Sequence, residues 1–145
     1  TSQQIVGKGM RPEELAEVRR AVKEATPGVG LWGVVYTMNL DHPGLADYLA
    51  HLDAINLWTW EAEDVDKLEE HLGRCEELAP GKPIILGVYM YDYGAGRPMP
   101  LDLLEDQCDH ALEWLEEGRI SGLVFLSITS EPRALEWVRD WIGEL

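Results

Sequence analysis

A chain of 145 residues has room for one domain with a real core, and 46% hydrophobic residues with six Trp exclude a disordered chain. Acidic residues outnumber basic ones 27 to 12, for a formal net charge of −15. A field of that sign repels phosphate backbones and excludes nucleic acid as the expected partner.

The acidity reads as solvated helix faces that keep the surface soluble. No apolar run approaches the roughly 20 residues of a membrane span, so no membrane is expected as a partner. No secretory signal pattern is present. The chain opens TSQQIVGKGM, without an initiating Met, and the expectation is a processed or truncated start.

Residues 12–25 predict a helix, with Pro12 suited to its first turn and Leu15, Val18 and Val22 on one face. Pro27-Gly28 ends it. Residues 29–39, VGLWGVVYTMN, are apolar nearly throughout and predict a strand buried on both faces. Asp41 to Gly44 is a turn, and 44–52 predicts a short helix through Leu45, Tyr48, Leu49 and Leu52.

A second strand is predicted at 54–60, then a helix at 63–79 with Val65, Leu68, Leu72, Cys75 and Leu78 as its apolar stripe. Pro80-Gly81-Lys82 closes it. The third strand is 83–93, and the loop GAGRPMP leads to a helix at 101–117. Leu101, Leu104, Cys108, Ala111, Leu112 and Leu115 form that helix's stripe, and Gly118 stops it. A fourth strand, 120–129, precedes a last helix at 132–142 built on Leu135, Val138, Trp141 and Ile142. Trp114, Trp137 and Trp141 read as packing residues.

One helix followed by four strand–helix units is an α/β pattern that implies parallel strands with right-handed crossovers, in one domain over 1–145. Two arrangements fit: an open doubly wound sheet, or a (βα)4 half of a TIM barrel preceded by one helix. The strands favour the half barrel. Ile55, Leu57 and Thr59 alternate with Asn56, Trp58 and Trp60, and Leu86, Val88 and Met90 alternate with Gly87, Tyr89 and Tyr91. The first set of each strand suits a helix layer. The second suits a barrel axis, where polar and aromatic groups are tolerated near strand ends.

The strand ends VYTMN, LWTWE, GVYMYDYG and FLSITSE resemble the carboxyl half of (β/α)8 barrels of the glycoside-hydrolase type. The resemblance rests on pattern over nearly the whole chain. It implies that the four strands correspond to the fifth to eighth of a barrel. The chain is then part of a larger (β/α)8 domain, and a missing amino-terminal half is its structural partner. It also implies a carbohydrate ligand. Many such barrels place a nucleophilic Glu after the seventh strand and an acid/base Glu after the fourth. Asp92 occupies the first place but is not Glu, and the second place lies outside this chain. The isolated chain is therefore expected to be inactive.

In such a barrel the site lies at the carboxyl ends of the strands. That rule selects Tyr36 and Asn39, then Trp58, Trp60 and Glu61, then Tyr91, Asp92 and Tyr93, then Ser127 and Thr129, with Asp41 and Arg97 in adjoining loops. Glycoside cleavage needs two carboxyl groups roughly 5–10 Å apart. Asp92 and Glu61 end adjacent strands, which lie about 4.8 Å apart, so they are the candidate catalytic pair. Each has a structural alternative. Glu61 opens a helix, where an acid suits the dipole, and Asp92 could hold the GAGR loop.

Tyr36, Asn39, Trp58, Trp60, Tyr91, Tyr93 and Arg97 are the candidate substrate-binding residues. Trp and Tyr rings stack on the apolar faces of sugars, and they equally serve as core filling. The expectation is one concavity holding Trp58, Trp60, Tyr91 and Asp92, with Glu61 beside it.

Three readings follow: a glycoside hydrolase; a non-catalytic sugar-binding or structural barrel; and a phosphosugar isomerase or lyase that uses Gly94-Ala95-Gly96-Arg97 to hold an anion. No cofactor and no metal are expected. His42, His51, His71 and His110 are scattered, and Cys75 and Cys108 carry no metal-ligand or redox spacing and read as buried thiols. Two apolar sheet edges would remain open in a half barrel, which points to a homodimer joined through them or to aggregation.

Overall fold

The computed structural model describes residues 9–127 and 132–145. Four strands form one all-parallel sheet: β1 (Trp32–Tyr36), β2 (Ala54–Trp58), β3 (Ile84–Tyr89) and β6 (Gly122–Leu126), in the order β1-β2-β3-β6. A two-stranded antiparallel hairpin, β4 (Tyr91–Asp92) with β5 (Arg97–Pro98), sits between β3 and the next helix. Five helices complete the fold: α1 (Pro12–Ala25), α2 (Leu45–Leu49), α3 (Leu68–Leu78), α4 (Leu101–Glu116) and α5 (Pro132–Gly143).

Sequential order in a parallel sheet requires every crossover to return on one side, and helices serve as those crossovers. The register shows the helix-covered face directly. Val35 lies beside Leu57, Leu57 beside Leu86 and Leu86 beside Leu123; one row lower, Gly33 lies beside Ile55 and Ile55 beside Ile84. Ile55, Leu57, Leu86 and Val88 are fully buried there, against Leu72 and Cys75 of α3 and Leu104, Cys108 and Ala111 of α4 in one continuous core. Leu52 fills the space over Gly33, where a methyl group would overlap it.

The other face has no helix layer in register with it among the described residues. Trp32 and Val34 on β1 are each 59% exposed, and Val124 and Leu126 on β6 are 36% and 40% exposed. On the two inner strands the same face is closed, since Trp58, Ile85 and Tyr89 are buried.

Several segments are shorter or differently shaped than their patterns predict. Strand 29–39 pairs only over β1, because residues 37–39 turn into a single 3-10 turn. The helix predicted at 63–79 opens with a 3-10 stretch, Ala62–Lys67, before α3 begins. Strand 83–93 breaks at Met90, whose amide bonds to Leu126 O, and resumes as β4. Of the predicted stripe of α5, Val138 is buried and Trp141 half-buried, whereas Leu135 and Ile142 are exposed; Ala134 is buried in addition. Helix α1 buries no residue, and Val18 is exposed. In α4, Gln107 and Trp114 are buried beyond the predicted stripe.

Polar ties hold the ends of these elements. Arg119 bonds Glu76 through Nε and a terminal nitrogen at 3.0 and 2.9 Å and Glu69 at 2.7 Å, and Trp114 Nε1 donates to Glu69 at 2.9 Å. This ties the end of α4 to α3. Lys82 donates to the carbonyls of Ala50 and Leu52. Cys75 and Cys108 are free and buried, and burial pushes each thiol up to about 12, so both are inert as nucleophiles.

Asp53, at the amino end of β2, is the hub of the sheet's lower rim. Its Oδ1 accepts from Arg19 at 2.5 Å and Lys23 at 2.9 Å, and its Oδ2 accepts the Leu31 amide at 2.9 Å. Arg19 first, then the Leu31 amide and Lys23, hold its carboxyl well below the ordinary value of 3.8. A depressed folded-state pKa adds stability that is present above the ordinary value and is lost as pH falls below it. Asp53→Ala is expected to cost about 1–2 kcal/mol at pH 7, given its partly exposed partners. Urea melts at pH 7 and pH 3 check this: the gap between wild type and variant should narrow at pH 3, and it closes only at still lower pH, where the lowered carboxyl itself takes up a proton.

Candidate functional site

At the carboxyl end of β1–β3, six aromatic residues on the face without helices form one connected wall. The strand pleat puts Tyr36, Trp58 and Gly87 in one row across three strands. Gly87 has no side chain because the Trp58 indole lies over it; a Cβ there would overlap the ring. Trp58 in turn contacts Tyr89, with centroids 4.5 Å apart.

Above that row the chain continues past the hydrogen-bonded strands and adds Trp60, Tyr91 and Tyr93. Trp60 stacks on Tyr93 at 4.6 Å and meets Tyr36 and Tyr89 edge-on at 5.4 and 6.0 Å. Tyr93 also meets Tyr89 at 4.7 Å and Tyr91 at 5.3 Å. Trp58 and Tyr89 are buried at the base, and Tyr36, Trp60, Tyr91 and Tyr93 are half-buried. Burial, with a hydrogen bond shared with Tyr36, pushes the Tyr89 phenol above its ordinary range. Tyr93 is raised as well, by burial first and then by Tyr36 and Tyr91. These phenols stay neutral, and the buried Tyr89 hydroxyl is engaged with Tyr36.

The two carboxylates share a different feature. Glu61, Glu63, Asp92 and Arg97 line a cleft of about 400 Å³ with Ala62, Gly94, Ala95 and Leu103. None of the six aromatic residues lines it. The expected single concavity is thus divided between a wall of rings and a carboxylate-lined cleft. Trp60 and Tyr93 belong to the wall, and their chain neighbours Glu61 and Gly94 belong to the cleft.

Asp92 is 3% exposed. Its Oδ1 accepts the amides of Ala95 at 3.1 Å and Ala62 at 3.4 Å, its carbonyl accepts the Gly96 amide at 2.9 Å, and its Oδ2 faces Arg97 Nε at 3.6 Å. The buried carboxylate organises the turn of the β4–β5 hairpin, the structural alternative the sequence left open. The same bonds engage the turn's amides at Ala95 and Gly96, which removes them as donors to a bound anion.

Glu61 is only half-buried. Its pKa is raised by desolvation first, and then by Glu63, Asp64 and Asp92. Its environment favours the protonated form.

The remaining expected residues are placed as follows. Asn39 closes the 3-10 turn after β1, and its carbonyl accepts the His42 amide at 2.9 Å. Asp41 is almost fully exposed and leans toward Arg74 of α3. Ser127 follows β6 and is half-buried. Thr129 lies outside the described residues. Among the described residues no group of three or more His, Cys, Asp or Glu is placed to hold a metal ion. No helix among them is long and apolar enough to cross a membrane.

Sequence reasoning did not single out Glu63 or Leu103 as cleft residues, nor Gly87 as the seat of Trp58. The signal for Gly87 was present: a glycine inside a strand marks close approach of something bulky. No protein-family model matches this chain, and neither a curated protein nor a solved structure matches it.

Gly87→Ala should displace the Trp58 indole and, through Tyr89, loosen the wall. The expected cost is about 1–3 kcal/mol, the usual range for overpacking. A thermal melt reads the stability, and near-ultraviolet circular dichroism reads the lost aromatic order.

Proposed function

We propose that this chain is the carboxyl-terminal half of a (β/α)8 barrel of a carbohydrate-active protein, and that its own contribution is a carbohydrate-binding wall. One observation carries the reading: six connected aromatic residues lie at the carboxyl end of parallel strands, on the face that no helix covers among the described residues. That end is where βα barrels hold their ligands. Rings of this kind offer flat apolar surface to a pyranose, and the half-buried tyrosines and Trp60 offer donors at its edge.

The half-barrel reading draws on the same asymmetry. Apolar residues of β1 and β6 stand exposed on the face that would look toward the barrel axis. Four further parallel strands would close both edges and cover that face; the partner is the missing half barrel, or a second copy of this chain joined edge to edge.

Of the readings, sugar binding is favoured over hydrolysis by these residues alone. Asp92 is spent on the hairpin, so it is no longer a free second carboxylate. Glu61 supports hydrolysis as a second reading, since its raised pKa suits a general acid. Its catalytic partner would have to come from strands outside this chain.

Two measurements test this. Tryptophan emission of the chain is titrated with a panel of neutral oligosaccharides. A saturable change, weakened about tenfold in Trp60→Ala, is the expected result. No change with any sugar overturns the binding reading. Sedimentation at micromolar concentration tests the half barrel. Self-association that Val34→Lys and Val124→Lys relieve is expected. A monomer with a sharp thermal transition would instead mean that the four-stranded sheet is complete as it stands.

A further inference from the structure

Glu61 is held in place by a turn that is distant in sequence. Its side chain lies on Gly94, the first residue of the hairpin turn after Tyr93. A Cβ built on Gly94 would stand 2.7 Å from Glu61 Cγ and 3.3 Å from Cβ and Cδ, closer than a real methyl group could sit. The backbone angle of Gly94 is not of the positive kind that would by itself call for glycine. The requirement is for space, and the space is filled by Glu61.

Asp92 brackets the same side chain. One of its oxygens accepts the amide of Ala62, which directly follows Glu61, and the amide of Ala95, which directly follows Gly94. A single buried atom thereby joins the segment that carries Glu61 to the segment on which Glu61 rests. The bond to Ala62, at 3.4 Å, is long and the bond to Ala95, at 3.1 Å, is ordinary, so the turn is the firmer side of the joint.

We propose that Asp92 and Gly94 are positioning residues that seat the Glu61 carboxyl group at the cleft, Gly94 by leaving room for it and Asp92 by pinning the two segments together. The proposal deepens the site reading above and rests on it only in giving Glu61 a part in ligand binding; the seat itself is measured without any ligand. The charged groups around Glu61 are Glu63 and Asp64 from its own segment and Asp92 and Arg97 from the hairpin, while α4 contributes Leu103, which is uncharged. Held among three carboxylates and partly desolvated, the seated group takes up a proton more readily than a free one. Swung out to solvent, it returns to ordinary behaviour.

The test is the titration of the Glu61 carboxyl by carbon-detected magnetic resonance, assigned with Glu61→Gln, in three variants. Asp92→Asn and Asp92→Ala both remove the charge, but Asn keeps an oxygen for the two amides and Ala does not. A difference between them therefore reads the seat alone. The expected result is a Glu61 midpoint lower in Asp92→Ala than in Asp92→Asn, and a midpoint in Gly94→Ala lowered toward the ordinary glutamate range. Amide exchange at Ala62 and Ala95 should quicken in Asp92→Ala and stay slow in Asp92→Asn. Thermal melts identify a variant that fails to fold, in which case the remaining pair decides. Equal midpoints in the two Asp92 variants, with Glu61 unmoved in Gly94→Ala, overturn the proposal even if the wall binds sugar. Failure of the sugar titration with the shifts intact would leave the seat standing and remove only the ligand assigned to it.

Discussion

A parallel sheet is normally covered on both faces, and among the described residues this one has its helices on one. Everything else in the molecule answers to that asymmetry. On the covered face the solution is ordinary: aliphatic rows from four strands meet the apolar stripes of α3 and α4, and glycine at position 33 admits Leu52. On the other face the inner strands close themselves with their own rings. Trp58 lies down over Gly87, Tyr89 packs on Trp58, and the rings beyond them continue the same stack. The outer strands have no such neighbours, and Trp32, Val34, Val124 and Leu126 stay in solvent.

Much of this was legible in the residues. The two-set alternation in β2 and β3 separates the faces correctly, because the side-chain period of a strand is two and each set met a different environment. Parallel pairing followed from strict strand–helix alternation, and sequential strand order from the two-set pattern that chose between the two arrangements. The boundaries were less legible. Residues 29–39 and 83–93 are apolar beyond the paired segments because the chain keeps burying rings after the ladder has stopped, and hydrophobicity does not distinguish the two. The outer helices misled for the opposite reason. Leu135 and Ile142 repeat at helical spacing, yet α5 lies at the edge of the sheet and has only Ala134 and Val138 to bury.

The site was legible by residue type and not by arrangement. Proximity in sequence placed Asp92 among Tyr91 and Tyr93 and suggested one pocket. In the folded chain the alternation that sends the tyrosines to the wall turns Asp92 inward, to three donors within its own hairpin and the adjoining segment. An acid at a strand end between two aromatics is therefore no guide to a free carboxylate. Gly87 and Gly94 were the more informative letters, since each marked a place where a large side chain comes to rest.

The buried thiols give the chain a property of another kind. Cys75 and Cys108 are its only cysteines, they sit in the layer where α3 and α4 meet the sheet, and neither is accessible. A thiol reagent can reach them only when that layer opens. Their rates of modification then report how often each helix lifts from the sheet: matching rates would mean the layer leaves as a block, and unequal ones that one helix peels first. The protein thus carries two intrinsic clocks on its core, placed where they disturb neither the wall nor the cleft.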